Sequence, residues 1–128
     1  MIYGDFSSES VDEDAPKDPK GIYGAAKLSS ELLIKAYHNL INLPYTIIRP
    51  SALYGERCVS RRVSQIFIEN AVQGMDITIN GDGSDKLDFT YIEDLIRGVT
   101  LTIENEKACN ETFNMTYGES RTIAEMAE

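Results

Sequence analysis

The stretch LPYTIIRP, residues 43–50, constrains the fold more than any other part of this chain. Its centre is a β-branched apolar run, and a proline stands on each side to keep a ladder from extending. The run shows no apolar–polar alternation, so neither face is marked for water. Such a strand fits a sheet covered on both faces, the environment of a parallel sheet packed between helices. Directly before it, from Gly21 to about Asn42, Ile22, Ala25, Ala26, Ser29, Leu32, Leu33, Ala36 and Leu40 recur at spacings of three and four. That is the period of a helix.

Strand and helix patterns go on alternating along the chain, which defines an α/β class. RRVSQIFIENAVQG (61–74) reads as an amphipathic helix ending at Gly74, and MDITIN (75–80) as a short alternating strand. GDGSDK (81–86) has the glycine and aspartate spacing of a turn. LDFTYIEDLIRGVTLTIEN (87–105) passes from a brief strand into a helix with Ile92, Leu95, Ile96, Val99 and Ile103 on one side. ETFNMTYGES (111–120) is a further strand and turn, and RTIAEMAE (121–128) opens another helix. MIY at the start is β-prone, GDFSSESVDEDAPKDPK (4–20) is a polar loop with Ser7 and Ser8 as ordinary loop serines, and SALYGERCVS (51–60) is a loop. A chain that starts in a strand pattern and stops in a helix pattern reads as a fragment of a larger protein.

Charge excludes some partners. Twelve basic and twenty-one acidic residues give a net charge of -9, a poor field for nucleic acid or an anionic membrane. No apolar stretch reaches the ~18 residues of a membrane span. Cys58 and Cys109 are far apart without metal-ligand spacing, which favours reduced thiols in a cytoplasmic protein. His38 is the sole histidine, so Ser-His-Asp chemistry and multi-histidine metal sites are not expected; a place in the last helical turn is.

Within the first helix, Tyr23 and Lys27 stand at i and i+4 and so share a face. A phenol ordinarily titrates near ~10, too high for a base at neutral pH, and a neighbouring ammonium favours the phenolate. A Tyr–Lys pair can therefore exchange a proton with a carbinol oxygen. Gly24, Ala25 and Ala26 between them are small enough to let a ligand approach. The bland alternative is a packed ring beside a solvated charge.

Three longer segments add context: IYGDFSSESVDEDAPKDPKGIYGAAKLSSELL, LPYTIIRPSALYGER and INGDGSDKLDFTYIEDL. In this order and at this spacing they resemble the extended short-chain dehydrogenase/reductase family, whose members include nucleotide-sugar epimerases and dehydratases. The resemblance implies the C-terminal part of a Rossmann-like, doubly wound parallel sheet, with its N-terminal nucleotide-binding half absent. Residues 1–50 would close the dinucleotide-binding domain, with active-site helix 21–42 and strand 45–49. Residues 51–128 would form mostly a small α/β substrate-binding region, with 88–104 packing back on the first part.

The resemblance also implies roles. Tyr23 would be the acid/base, and Lys27 its partner and a ligand of the nicotinamide ribose. Pro50, Ser51 and Ala52 would lie at the nicotinamide end of NAD or NADP. Tyr54 and Gly55 would shape the pocket for a nucleotide-sugar, with Ile77, Ile79 and Asn80 running past its base. Arg49 is expected to be structural, Asp94 to orient loops, and Asp12, Glu13 and Asp14 to be solvated. No metal is implied. The helix 21–42 would pair with its copy in a homodimer.

Departures from the family pattern bear on the substrate. Ala52 stands where an asparagine often holds the sugar nucleotide, and Leu87 where an arginine often clamps the pyrophosphate. Asn80 replaces a stacking aromatic, and Glu56 a proline. The glycine-rich G-x-x-G-x-x-G turn that seats a cofactor pyrophosphate does not occur in these 128 residues. The leading expectation is thus part of an NAD(P)-dependent nucleotide-sugar epimerase/dehydratase, inactive as an isolated chain. The alternatives are a non-catalytic binding or dimerisation module and a plain structural fragment.

Overall fold

The structure, a computed structural model, describes residues 1–5 and 10–128, so Ser7 and Ser8 lie outside the described residues. The elements run α1 (Ile22–Ile41), β1 (Thr46–Pro50), β2 (Ala52–Tyr54), α2 (Val63–Val72), β3 (Lys86–Tyr91), α3 (Ile92–Glu104), a 3-10 turn at Glu106–Ala108, β4 (Glu111–Met115), β5 (Ser120–Thr122) and α4 (Ile123–Ala127). The class is α/β, as the alternation of patterns requires. Two compact units share the chain: Met1–Ile48 with Thr102–Asn114, and Arg49–Leu101 with Met115–Glu128.

In the first unit, α1 begins after Gly21 and ends at Asn42, whose left-handed backbone (φ 56) lets its N–H donate to the His38 carbonyl at 2.7 Å. That αL cap and Pro44 beyond it stop the helix. β1 pairs with β4. The Thr46 hydroxyl donates to the Ala108 carbonyl at 2.8 Å, and the Asn110 N–H donates to the Tyr45 carbonyl at 2.6 Å. Ile2 and Ile47 are buried. His38 occupies the last turn of α1, its Nδ1 donating to the Leu43 carbonyl at 2.9 Å and its ring edge-on to Tyr45. It is a structural residue.

In the second unit, β2, β3 and β5 form a three-stranded sheet in that order. β2 runs parallel to β3 with Ala52 opposite Phe89 and Tyr54 opposite Tyr91. β5 runs antiparallel to β3 with Leu87 opposite Arg121. The turn at 82–85 receives the start of α4: the Ala124 N–H donates to the Gly83 carbonyl and the Ile123 N–H to the Asp85 carbonyl, both at 3.0 Å. Thr122 and Glu125 complete a capping box on α4.

Several expectations need correction. Residues 1–3 and 75–80 are not strands. Ile77 and Ile79 do turn inward while their neighbours are exposed, but alternation specifies which face is buried and not that a partner strand is alongside. Conversely, β2 lies inside the segment read as a loop, because three residues are too few to show a period.

The apolar stripe read on α1 is exposed. Leu32 (61%) and Leu40 (79%) face outward, while Gly24 is buried and Leu28, Glu31 and His38 are half-buried. Periodicity marks a stripe as apolar without saying what covers it. On α3, Ile96 and Ile103 are likewise exposed. Glu13 is not simply solvated: its Oε1 accepts from the Asn114 N–H at 2.6 Å, which pins the acidic loop to β4.

Candidate active site and ligand cavity

The first unit carries the Tyr–Lys pair. One helical turn separates the two residues on α1, and the Lys27 ammonium stands 5.5 Å from the centroid of the Tyr23 ring. Tyr23 is 61% exposed. The phenol ring is therefore accessible, with the Lys27 ammonium over its face. Gly24 has a different use from the one expected. A Cβ there would meet the Met1 carbonyl oxygen at 2.7 Å and the Pro19 side chain at 3.0 Å, so the missing side chain makes room for this chain's own N-terminal segment. Ala25 and Ala26 remain exposed beside the pair.

The second unit holds the other expected residues. Pro50 is exposed at the end of β1. The Ser51 hydroxyl lies 2.7 Å from that of Thr90 and donates to Asp88 Oδ1 at 3.2 Å. Asp88 also accepts from the N–H groups of Tyr117 (3.0 Å) and Gly118 (2.8 Å). Thr90 is nearly fully buried (4%), and its hydroxyl also accepts from the Tyr117 N–H at 3.0 Å. Asp88 and Thr90 escaped the sequence reading. Their signal was the alternation of polar Lys86, Asp88 and Thr90 with Leu87, Phe89 and Tyr91, which sets them on one face of the strand.

The opposite face of β3 lines a cavity of about 420 Å³ together with β2, α2 and α4. Its walls are Tyr54, Ser64, Ile68, Phe89, Arg121, Glu125 and Met126. Tyr54 stacks at a tilt on Tyr91, ring centroids 5.5 Å apart. The carboxylate of Glu93 beside Tyr91 raises the phenol of Tyr91 above its ordinary value, so that hydroxyl stays protonated. Gly55 is held at φ 142, and a Cβ there would run into the Ile92 side chain, so the turn after β2 admits only glycine. Asn80 is exposed and does not line the cavity, nor do Ile77 and Ile79.

Other candidates resolve simply. Cys58 and Cys109 are free thiols. The Asp94 carboxylate lies 3.9 Å from Arg97 on its own helix. Among the described residues, no group of three or more His, Cys, Asp or Glu could hold a metal ion, and no helix is long and apolar enough to cross a membrane.

The chain is α/β with a parallel strand pair, and it carries a Tyr–Lys helix face and an aromatic-walled cavity. Residues 1–116 match the NAD dependent epimerase/dehydratase family, and the chain belongs to it. It is 33% identical over 128 residues to a putative UDP-glucose 4-epimerase of Methanocaldococcus jannaschii, covering 98% of this chain and 41% of that protein. It is 29% identical over 127 residues to a dTDP-glucose 4,6-dehydratase of Actinoplanes sp., covering 99% of this chain and 39% of that one. The crystal structure of UDP-glucuronic acid 4-epimerase from Bacillus cereus, in complex with UDP-glucuronic acid and NAD, superposes with a TM-score of 0.86 at 35% identity. That superposition covers 96% of this chain and 39% of the epimerase. The chain thus spans about two fifths of the length of these relatives.

Proposed function

We propose that this chain is part of an NAD(P)-dependent nucleotide-sugar epimerase/dehydratase, with Tyr23 as the acid/base of the reaction. The observation that carries the reading is the exposed Tyr23 phenol with the Lys27 ammonium beside its ring, in a chain of this family. Tyr23 takes the proton of a sugar hydroxyl as that carbon is oxidised and returns it on reduction. Lys27 sets a positive charge over the Tyr23 ring and offers N–H donors to a ribose. The nicotinamide, when bound, supplies the acceptor and donor of hydride.

The residues present fit the nicotinamide end of such a cofactor. Tyr23 and Lys27 are exposed in the first unit, and the expected contribution of Pro50, Ser51 and Ala52, in the second unit, belongs to the same proposal. Because the Ser51 hydroxyl is engaged with Thr90 and Asp88, its contribution is a fixed backbone. Nothing in the 128 residues provides the glycine-rich turn for the pyrophosphate, so the isolated chain is inactive. Tyr54 and Gly55 shape the substrate pocket, with Ile77, Ile79 and Asn80 beside the base.

Calorimetric titration of NAD into the 128-residue chain, and into a version joined to a glycine-rich nucleotide-binding half, tests this reading. Binding only by the joined protein is expected, with turnover of a nucleotide-sugar abolished by Tyr23→Phe. Tight binding of NAD by the short chain, or retained turnover in Tyr23→Phe, overturns it.

The exposed apolar stripe of α1, with Ile22, Leu32, Leu33 and Leu40 outward, favours a second reading: a non-catalytic module that pairs with its copy through helix 21–42. In the enzyme the same face would make a homodimer. Sedimentation of Leu32→Glu against the native chain separates dimer from monomer.

A further inference from the structure

Tyr23 stands on a turn that its own sequence holds weakly. Gly21, the N-cap of α1, has no side chain to offer the first N–H groups, and the first turn carries no acidic residue to meet the helix dipole. Gly24 follows within the same turn, and glycine is a poor helix former. The first helical hydrogen bond, from the Ala25 N–H to the Gly21 carbonyl at 3.0 Å, thus closes a turn prone to fray. An acid/base cannot work from a loose turn, because a misplacement of about 1 Å can cost about a hundredfold in rate.

The N-terminal segment supplies the missing restraint. The Met1 carbonyl and the Pro19 side chain both lie against Gly24, which is buried between exposed Tyr23 and exposed Ala25. Gly4 in turn abuts the Asp18 carbonyl so closely that no Cβ would fit. One residue of β4 fastens these stretches. Asn114 Oδ1 accepts from the Tyr3 hydroxyl at 2.7 Å, and its Nδ2 donates to the Val11 carbonyl at 3.3 Å. Its backbone N–H donates to Glu13 Oε1. Both ends of the amide are therefore used, and each bond reaches across more than 100 residues of chain, 111 for Tyr3 and 103 for Val11. Such bonds set tertiary position and not the shape of a local turn. All of these residues belong to the first unit.

We propose that Asn114 is a positioning residue for the acid/base. Through Tyr3 and Val11 it holds the N-terminal segment on Gly24, and so fixes the first turn of α1, with Tyr23 on it, relative to β4. The catalytic meaning rests on the role proposed for Tyr23, whereas the clamp stands on the contacts alone.

Hydrogen exchange of the folded 128-residue chain, read residue by residue by NMR, tests the clamp. In Asn114→Ala the Ala25 amide should exchange about tenfold faster, while the Ala36 amide, later in α1, keeps its native rate. Tyr3→Phe keeps the ring and removes the hydroxyl that donates to Asn114, so it should act in the same direction and decides the matter if the alanine variant does not fold. In the protein joined to a nucleotide-binding half, kcat per bound NAD should fall about tenfold or more in these variants, with KM for the nucleotide-sugar unchanged. Native exchange at Ala25 overturns the assignment, as does a native kcat. Exchange that rises equally at Ala25 and Ala36 marks a general loss of stability and also overturns it. Turnover that survives Tyr23→Phe while Asn114→Ala still loosens Ala25 removes the acid/base and leaves the clamp, so the two failures are distinguishable.

Discussion

The hydroxyl of Ser51 lies 2.7 Å from that of Thr90, and through it the residue that follows β1 is tied to the middle of β3. Asp88 extends the link to the backbone of Tyr117 and Gly118. Hydrogen bonds to a charged acceptor contribute about 1.5–3 kcal/mol each, and a neutral one about 1 kcal/mol. Asp88→Ala should therefore lower stability in urea unfolding by at least the about 1.5–3 kcal/mol of one such bond, and by more than Thr90→Val, which should cost about 1 kcal/mol. Asp88→Ala costing no more than Thr90→Val would show that the carboxylate is not the centre of the network.

Two glycines of the first unit should respond in opposite directions. Alanine is ordinarily better than glycine inside a helix by about 1 kcal/mol. Gly24→Ala should nevertheless destabilise, since the new methyl meets the Met1 carbonyl at 2.7 Å. Gly21 is the N-cap of α1, has no side-chain cap, and has nothing within 4 Å of a Cβ. Gly21→Ser should stabilise by a few tenths of a kcal/mol, roughly the advantage of a capping hydroxyl over glycine. Thermal melts of the two variants decide both.

Cys58 should react faster with iodoacetamide near neutral pH than an ordinary thiol. The Ser60 hydroxyl, 3.6 Å from its sulfur, favours the thiolate and holds the thiol below its usual range. Since the thiolate is the nucleophile, the alkylation profile should rise at lower pH in the native chain. In Ser60→Ala it should move to higher pH. Overlapping profiles would remove Ser60 as the cause.

The cap of α4 should be sensitive to acid. The backbone N–H and then the hydroxyl of Thr122 hold the Glu125 carboxyl below its ordinary value. A depressed folded value means that the contribution is fully present above the unfolded glutamate value of ~4.3 and disappears as pH falls through the folded one. The difference in unfolding midpoint between the native chain and Glu125→Gln should be constant from pH 7 to about 5 and shrink below that. A difference that grows on acidification would contradict the cap.

Legibility from sequence followed the range of the interaction. α1, α2 and α3 announce themselves because helical period is local, and Tyr23 with Lys27 is legible for the same reason. Strands are harder, since Ala52–Tyr54 is a strand only because β3 lies beside it, and MDITIN lacks a ladder although its isoleucines turn inward. The linkage of Ser51, Asp88, Thr90 and Tyr117 joins residues from separate segments, so no window of sequence contains it. Arg121 in SRT carries no local mark at all; it lines the cavity only because β5 pairs with β3.

That register has a kinetic consequence. Ser51 and Asp88 are 37 residues apart in the chain, and Asp88 and Gly118 are 30 apart. Each closure costs chain entropy before any contact rewards it, and non-local strand pairings of this sort are slow to form. The walls at Tyr54, Phe89 and Arg121 meet only after both closures, so the cavity is a late product of folding. A refolding chain would regain the helical signal of α1 early and the cavity last.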